Sequence, residues 1–244
     1  LLKARKEKER EAAADLRRSN QELEQFAYVA SHDLQEPLRK VASFCQLLER
    51  RYKRQLDERA DQYIAFAVDG AKRMQILIND LLAFSRVGRI VRDPVVVSCD
   101  AVLEQALANL SYSIEHTGAV VDADPLPAVS AEVPLLTTVF QNLISNALKF
   151  RGEESPHVRV TVRRDGDFWE FAIADNGIGI DEEYAERIFV IFQRLHNKAD
   201  YPGTGIGLAM CRKIVEYHGG RIWLDTTVES GSRFCFTLPA IDAG

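Results

Sequence analysis

Apolar residues return at alternating intervals of four and three from Ala13 to Leu48, and this seam constrains the fold more than any other feature. With Ala13, Asn20, Ala27, Leu34, Val41 and Leu48 at heptad position a, the d positions fall on Leu16, Leu23, Ala30, Pro37 and Phe44. Charged residues fill the intervals, so the segment reads as a helix packed in a bundle or coiled coil. Composition agrees: the first 88 residues hold one proline and two glycines among Ala, Leu, Glu, Arg, Lys and Gln. The pattern breaks over residues 51–56, Asp57 offers an N-cap, and a second seam follows through Ala60, Ile64, Ala67, Ala71, Met74, Ile78 and Leu81. Two long helices with a short connection form an antiparallel hairpin. A lone hairpin exposes two apolar seams, so two copies pairing into a four-helix bundle, a homodimer, is expected.

The chain has 244 residues, 46% hydrophobic and 27% charged, enough to bury a core in one or two domains. Its net charge of −5 argues against a nucleic-acid partner, which calls for a basic patch. No run approaches the roughly 18 apolar residues of a membrane span, and the first residues carry no apolar signal core. The sequence starts without Met and reads as a cytoplasmic piece of a longer chain, whose upstream part is open to membrane anchoring. Cys45, Cys99, Cys211 and Cys235 form no Cys-x-x-Cys pair and suit buried free thiols. The five histidines show no metal-ligand spacing.

From Val87 the texture changes. Gly88 and the Asp93-Pro94 pair mark a boundary. Strand-like runs at 95–97, 158–163, 168–174, 221–224 and 233–238 alternate with helical stretches at 100–115, 133–150 and 206–218. That pattern predicts an α+β sandwich with helices over one face of a mixed sheet. The expected organisation is a linker helix over 1–20 arriving from an upstream domain, a hairpin domain over 21–88 and a sandwich domain over 89–244.

The heptad frame puts His32 at position f, opposite the seam. A histidine there is most often an ordinary surface residue, but two neighbours change that reading. A carboxylate at Asp33 can hold one ring nitrogen protonated and leave the other nucleophilic. Pro37 cannot donate to the carbonyl of Asp33, so a kink is expected one turn on, costing about 3 kcal/mol or more. The stretch Phe26-Ala27-Tyr28-Val29-Ala30-Ser31-His32-Asp33-Leu34-Gln35-Glu36-Pro37-Leu38 resembles the H-box of two-component sensor histidine kinases, in the form found in the phytochrome-linked group. The resemblance implies that His32 is the phospho-acceptor and Asp33 its hydrogen-bond partner and general base. It also implies a response regulator as partner and a sensor domain upstream. Many members of that family carry Thr or Asn four residues after the histidine, where it positions water for phosphatase action. This chain has Glu36.

Three further elements suit a phosphoryl donor. Asn142, Asn146 and Lys149 recur at four and three on one face of a predicted helix. An amide oxygen can ligate Mg²⁺ and a lysine can meet phosphate, although an ordinary polar helix face has the same pattern. Asp175-Asn176-Gly177-Ile178-Gly179-Ile180 follows a predicted strand. A carboxylate there can accept from an exocyclic amine such as adenine's, and the glycines let the backbone approach a flat ring; a plain strand-to-helix turn is the alternative. Gly203-Thr204-Gly205-Ile206-Gly207-Leu208 opens a helix and presents backbone N–H groups to phosphate.

In this order the three resemble the N, G1 and G2 boxes of the Bergerat-type ATPases shared by histidine kinases, Hsp90, gyrase and MutL. Phe189-Val190-Ile191-Phe192-Gln193-Arg194 looks like the kinase F-box, and the short segment ending Tyr201-Pro202-Gly203 matches the phytochrome-linked kinases. The resemblance implies that Asn146 ligates Mg²⁺, that Asn142 and Lys149 hold phosphate oxygens and that Phe150 stacks beside the base of ATP. Asp175 would read the adenine amino group, with Gly177, Gly179 and Ile180 lining its pocket. Gly203, Thr204, Gly205, Gly207 and Leu208 would wrap the phosphates, and Arg194 would reach the γ-phosphate. Two rival readings are a nucleotide-sensing scaffold without catalysis and a clamp that hydrolyses ATP. The intact His32, Asp33, Asn146 and Asp175 oppose the first, and the long stem opposes the second.

Overall fold

The computed structural model describes residues 33–88, 95–195, 201 and 203–241. His32, the linker helix expected over 1–20 and the Asp93-Pro94 pair of the expected boundary lie outside the described residues. The chain divides into two compact units, Leu1–Arg86 and Val87–Gly244.

In the first unit, helix α1 covers residues 33–52 and continues through Pro37. A turn follows in which Arg54 takes a positive φ of 64°. Its N–H donates to the Asp61 carboxylate at 3.0 Å, which fixes the reversal. Asp57 caps helix α2 (Glu58–Arg86) as expected, accepting the Ala60 N–H at 2.8 Å. The seam behaves differently from the simplest expectation. Among the described residues, Leu38, Ala42 and Ala71 form a small core cluster of the hairpin with Ile78 packed against it. Of the a and d positions on α1, Leu34, Val41, Phe44 and Leu48 are all exposed, Phe44 by 66%. Two helices touch along one stripe each. Here Leu38 at position e and Ala42 at position b form that stripe on α1, and the a/d stripe stays outside it.

The second unit opens with β1 (Val95–Ser98) and α3 (Cys99–Asn109), whose N-cap Ser98 accepts the Ala101 N–H. The helix expected over 100–115 is two helices, α3 and α4 (Ser111–Thr117), divided at Leu110. Leu110 is buried at φ −101° and ψ 3°, and its N–H is shared between the carbonyls of Ala106 and Leu107. Two four-residue strands not foreseen from the pattern follow, β2 (Val120–Ala123) and β3 (Ala128–Ala131). Then come α5 (Val133–Lys149), β4 (His157–Asp165), β5 (Phe168–Asp175), two single-turn 3₁₀ segments, α6 (Gly207–Tyr217), β6 (Ile222–Leu224) and β7 (Arg233–Pro239).

β1 pairs with β3 in a two-stranded ribbon, and the main sheet has the order β2-β4-β5-β7-β6. β2 runs parallel to β4 and the other pairs are antiparallel, so the sheet is mixed as expected. Residues of α5 buried at three- and four-residue intervals, among them Leu136, Phe140, Leu143, Ile144 and Ala147, lie against the sheet. Phe140 meets the rings of Phe171 and Phe236 edge-on at 6.1 and 5.8 Å, and those two stack on each other across β5 and β7 at 4.9 Å. On the opposite sheet face the register sets Arg163 beside Glu170, whose buried carboxylate takes a two-pronged contact of 2.9 and 2.8 Å. The core thus clamps α5 to the ends of β5 and β7, where the candidate residues lie.

Candidate functional site

Hydrophobic periodicity sets the outward face of α5. Leu143, Ile144, Ala147 and Leu148 point into the core, so Asn142, Asn146 and Lys149 come out together on the half-buried side. The Asn142 amide nitrogen donates to the Thr138 carbonyl at 2.9 Å, one turn back. Its oxygen is turned to the start of α6: a Cβ added to Gly207 would stand 2.6 Å from it. At the C-terminus of α5, Phe150 accepts the Ile178 N–H at 3.0 Å through its carbonyl, which ties the helix to the turn after β5.

That turn is built around Asp175. Its Oδ1 accepts the Gly177 N–H at 2.8 Å and the Ser232 N–H at 3.0 Å, and neither bond uses Oδ2. Burial raises the carboxyl above its ordinary pKa, partly offset by those two bonds. Gly177 lies so close to the Phe150 carbonyl and the Asp175 carboxylate that a side chain has no room, and Gly179, at φ +76°, lies against the Gly231 carbonyl. Ile180 is half-buried in the same turn. The Gly231-Ser232 contribution was not foreseen. The glycine is visible as a turn signal, but its approach to Asp175 depends on the antiparallel register of β5 and β7.

The glycine-rich loop runs beside the α5 face, Gly203 at Lys149 and Gly207 at Asn142. α6 begins without a side-chain cap, leaving the N–H groups of its first turn to other acceptors. Thr204 Oγ1 lies 3.4 Å from the Ile206 N–H, and Leu208 is half-buried in that first turn. Gly205 accepts the Phe192 N–H at 2.9 Å, which joins this loop to the aromatic segment before it. Arg194 donates from Nη1 to the Gly203 carbonyl at 3.0 Å and from Nη2 to the Tyr201 carbonyl at 2.6 Å. Lys149 stands beside Gly203, where an added Cβ would be 2.9 Å from Nζ. Burial, and then the nearby Arg194 charge, lower the Lys149 pKa. Two cations beside the loop that leads into a helix start without a side-chain cap make an arrangement chemically suited to an anion. The second unit therefore sets Asn142 beside Gly207, and Lys149 and Arg194 beside Gly203, with Asn146 on the α5 face between Asn142 and Lys149. Phe150 follows Lys149 and joins this face to the turn that holds Asp175, Gly177 and Gly179.

In the first unit Asp33 begins the described part of α1. It borders a cleft of about 630 Å³ with Gln35, Glu36, Arg39 and Gln75. Glu36 is paired with Lys40 at 2.7 Å, and Gln35 donates to Asn79 across the hairpin at 2.9 Å. No helix among the described residues is long and apolar enough to cross a membrane.

Comparison with known proteins matches residues 22–89 to the His Kinase A (phospho-acceptor) domain. Residues 131–242 match the histidine kinase-, DNA gyrase B- and HSP90-like ATPase domain. Cyanobacterial phytochrome A of Nostoc sp. (strain PCC 7120) is 52% identical over 227 residues, covering 93% of this chain and 30% of that protein. This chain therefore spans about a third of such a relative. Among solved structures, full-length ShkA in complex with AMPPNP superposes with a TM-score of 0.68 at 27% identity, covering 88% of this chain and 45% of that one. Histidine kinase ThkA in complex with the response regulator protein TrrA, 20% identical at a TM-score of 0.64 over 94% of this chain and 66% of that one, shares the fold. With a phospho-acceptor domain followed by this ATPase domain, the chain belongs to the histidine kinases.

Proposed function

We propose that this chain binds ATP with Mg²⁺ in the second unit, phosphorylates His32 and passes the phosphoryl group to an aspartate of a response regulator. The observation that carries the reading is the convergence of Asn142, Lys149, Arg194 and the Gly203–Gly207 loop at the bare start of α6, with a buried carboxylate in the turn that Phe150 joins to them. Triphosphate fits the cations, and Oδ2 of Asp175 is free of the two backbone bonds and suits the exocyclic amine of adenine. Phe150 would flank the base. ShkA, which shares this fold, was solved with the ATP analogue AMPPNP.

Asn146 is the residue that would hold Mg²⁺. One neutral amide oxygen fits an ion that keeps its waters and phosphate oxygens as its main ligands. Bound there, the ion neutralises charge on the phosphates. In the transfer, an imidazole nitrogen of His32 attacks the γ-phosphorus, a P–N bond forms and the P–O bond to the β-phosphate breaks. ADP leaves, and Asp33 takes the imidazole proton. In the second step an aspartate oxygen of the regulator displaces the imidazole, as an aspartate-for-nitrogen exchange at phosphorus. The exposed seam of the hairpin supports pairing of two copies, and the phytochrome likeness supports a sensor domain upstream and a cytoplasmic setting.

Incubation with ATP radiolabelled at the γ-phosphate tests this. Protein label that is acid-labile, base-stable and absent in His32→Ala supports the kinase. Phosphate release without protein labelling, or nucleotide binding with neither, sinks it in favour of a clamp ATPase or a scaffold.

A further inference from the structure

Five residues at the site form a closed circuit of contacts. The Tyr201 ring packs on Phe150 with centroids 4.9 Å apart and planes at 37°. Lys149 Nζ lies 4.3 Å from the centroid of the same Phe150 ring. Arg194 grips the Tyr201 carbonyl at 2.6 Å and the Gly203 carbonyl at 3.0 Å, and Gly203 returns the circuit to Lys149. Phe150 belongs to the end of α5, and its own carbonyl is fixed by Ile178. Tyr201 thus joins the element that would meet the base to the guanidinium that would meet the phosphates.

We infer that Tyr201 is a positioning residue for the nucleotide, its ring anchoring the carbonyl that aims Arg194 while backing the Phe150 wall; the inference rests on the ATP-binding reading above. Lys149 and Arg194 carry like charges beside Gly203 and repel each other, which adds to burial in lowering the Lys149 pKa. Something must hold the two cations in place before an anion arrives, and Arg194 is anchored on two main-chain carbonyls. A carbonyl aims a donor only if its own peptide is fixed. The Tyr201 peptide is fixed through its ring, half-buried on Phe150. The hydroxyl is not needed for this, because an aromatic face and its contact area do the holding.

The test uses the whole chain with Tyr201→Ala, Tyr201→Leu and Tyr201→Phe, alone and with Arg194→Ala. Binding of Mg²⁺-ATP is read by a fluorescent ATP analogue, and His32 labelling is followed at low and saturating ATP. Loss of the aromatic face should weaken ATP affinity by about fivefold to tenfold and slow labelling at saturating ATP. Tyr201→Leu should behave as Tyr201→Ala, and Tyr201→Phe should restore both quantities. In the Arg194→Ala background, Tyr201→Ala should lower the saturated rate no further. Unchanged affinity in Tyr201→Ala and Tyr201→Leu, or equal rate losses with and without Arg194, overturns the inference while wild-type labelling leaves the kinase reading standing. A wild-type chain that binds no Mg²⁺-ATP overturns both.

Discussion

The Ser232 N–H donates to Asp175 Oδ1 at 3.0 Å, so the residue just before β7 orients the carboxylate at the end of β5. Burial raises that carboxyl, which means the native state holds its proton to higher pH than the unfolded chain does. Stability therefore falls as pH rises from the unfolded value near 3.8 through the folded value, and at neutral pH the ionised group opposes folding. Asp175→Asn keeps an acceptor for Ser232 and Gly177 and removes the charge. Its thermal midpoint should exceed that of the wild type at pH 7, with the gap closing below pH 4. ATP affinity should drop by about 10- to 100-fold, because the amide presents a donor to the adenine amine. Thermal melts across pH and an ATP titration check both halves.

Gly231 holds φ +69° with no room for a side chain beside the Asp175 carbonyl. Gly166 has a similar φ of +56° with open space around it. Gly231→Ala should therefore destabilise by more than about 2 kcal/mol, combining backbone strain with displacement of β5. Gly166→Ala should cost only about 1 kcal/mol from φ alone. Paired denaturant titrations separate the two effects.

His218 braces the two helices that frame the site. Its Nε2 accepts the Glu132 N–H at 3.1 Å, and Nδ1 faces the Ile214 carbonyl at 2.8 Å. The first contact requires a lone pair and the second a proton, so the ring is neutral with hydrogen on Nδ1. Tyr217 reinforces the joint by donating to the Glu132 carboxylate at 2.9 Å. His218→Ala strands a part-buried N–H at the start of α5 and should cost about 1–3 kcal/mol. Proton NMR of the Nδ1–H and urea denaturation test the assignment and the size.

The a/d stripe of α1 makes a prediction about association. A glutamate at Val41, next to Phe44 and Leu48, would place charge in any apolar seam between two copies. Val41→Glu should shift the chain to monomer in sedimentation experiments and leave ATP binding by the second unit unchanged. A dimer of undiminished affinity would move the interface elsewhere.

Native thiol labelling offers a check on the core. Cys99, Cys211 and Cys235 are buried, and burial pushes Cys99 up to about 12 and Cys235 up to about 11. Alkylation at pH 8 should modify Cys45 first and leave those three until the chain unfolds. Mass spectrometry of peptides from native and denatured protein reads this directly.

Much of this arrangement was legible in sequence because period and punctuation carry it. The heptad revealed the hairpin, and Asp57 its second cap. The four-and-three spacing of Asn142, Asn146 and Lys149 put them on one face, where they stand. What the seam did not disclose was which stripe a helix turns to its own hairpin, since Leu38 and Ala42 sit directly beside the a/d set. β2 and β3 escaped because four residues hold too little pattern, and β2 is secured by pairing with β4, a tertiary event. The division at Leu110 escaped because Leu110 is buried in helical step with Cys99, Val102, Leu103 and Ala106, so the apolar period runs on through it. Ser232 and Tyr201 were unreadable as site residues because their meaning comes from what packs against them. Arg194 was expected to point at phosphate, and its grip on two main-chain carbonyls emerged only with the fold.

The hairpin's interior has a mechanical consequence. Where Leu38, Ala42, Ala71 and Ile78 meet, its described part has shallow teeth, two of them single methyl groups. Helices meshed so lightly can turn or slip past each other without first emptying a deep socket. A twist delivered to such a stem would meet little resistance at those two alanines, where no deep knob has to leave its hole.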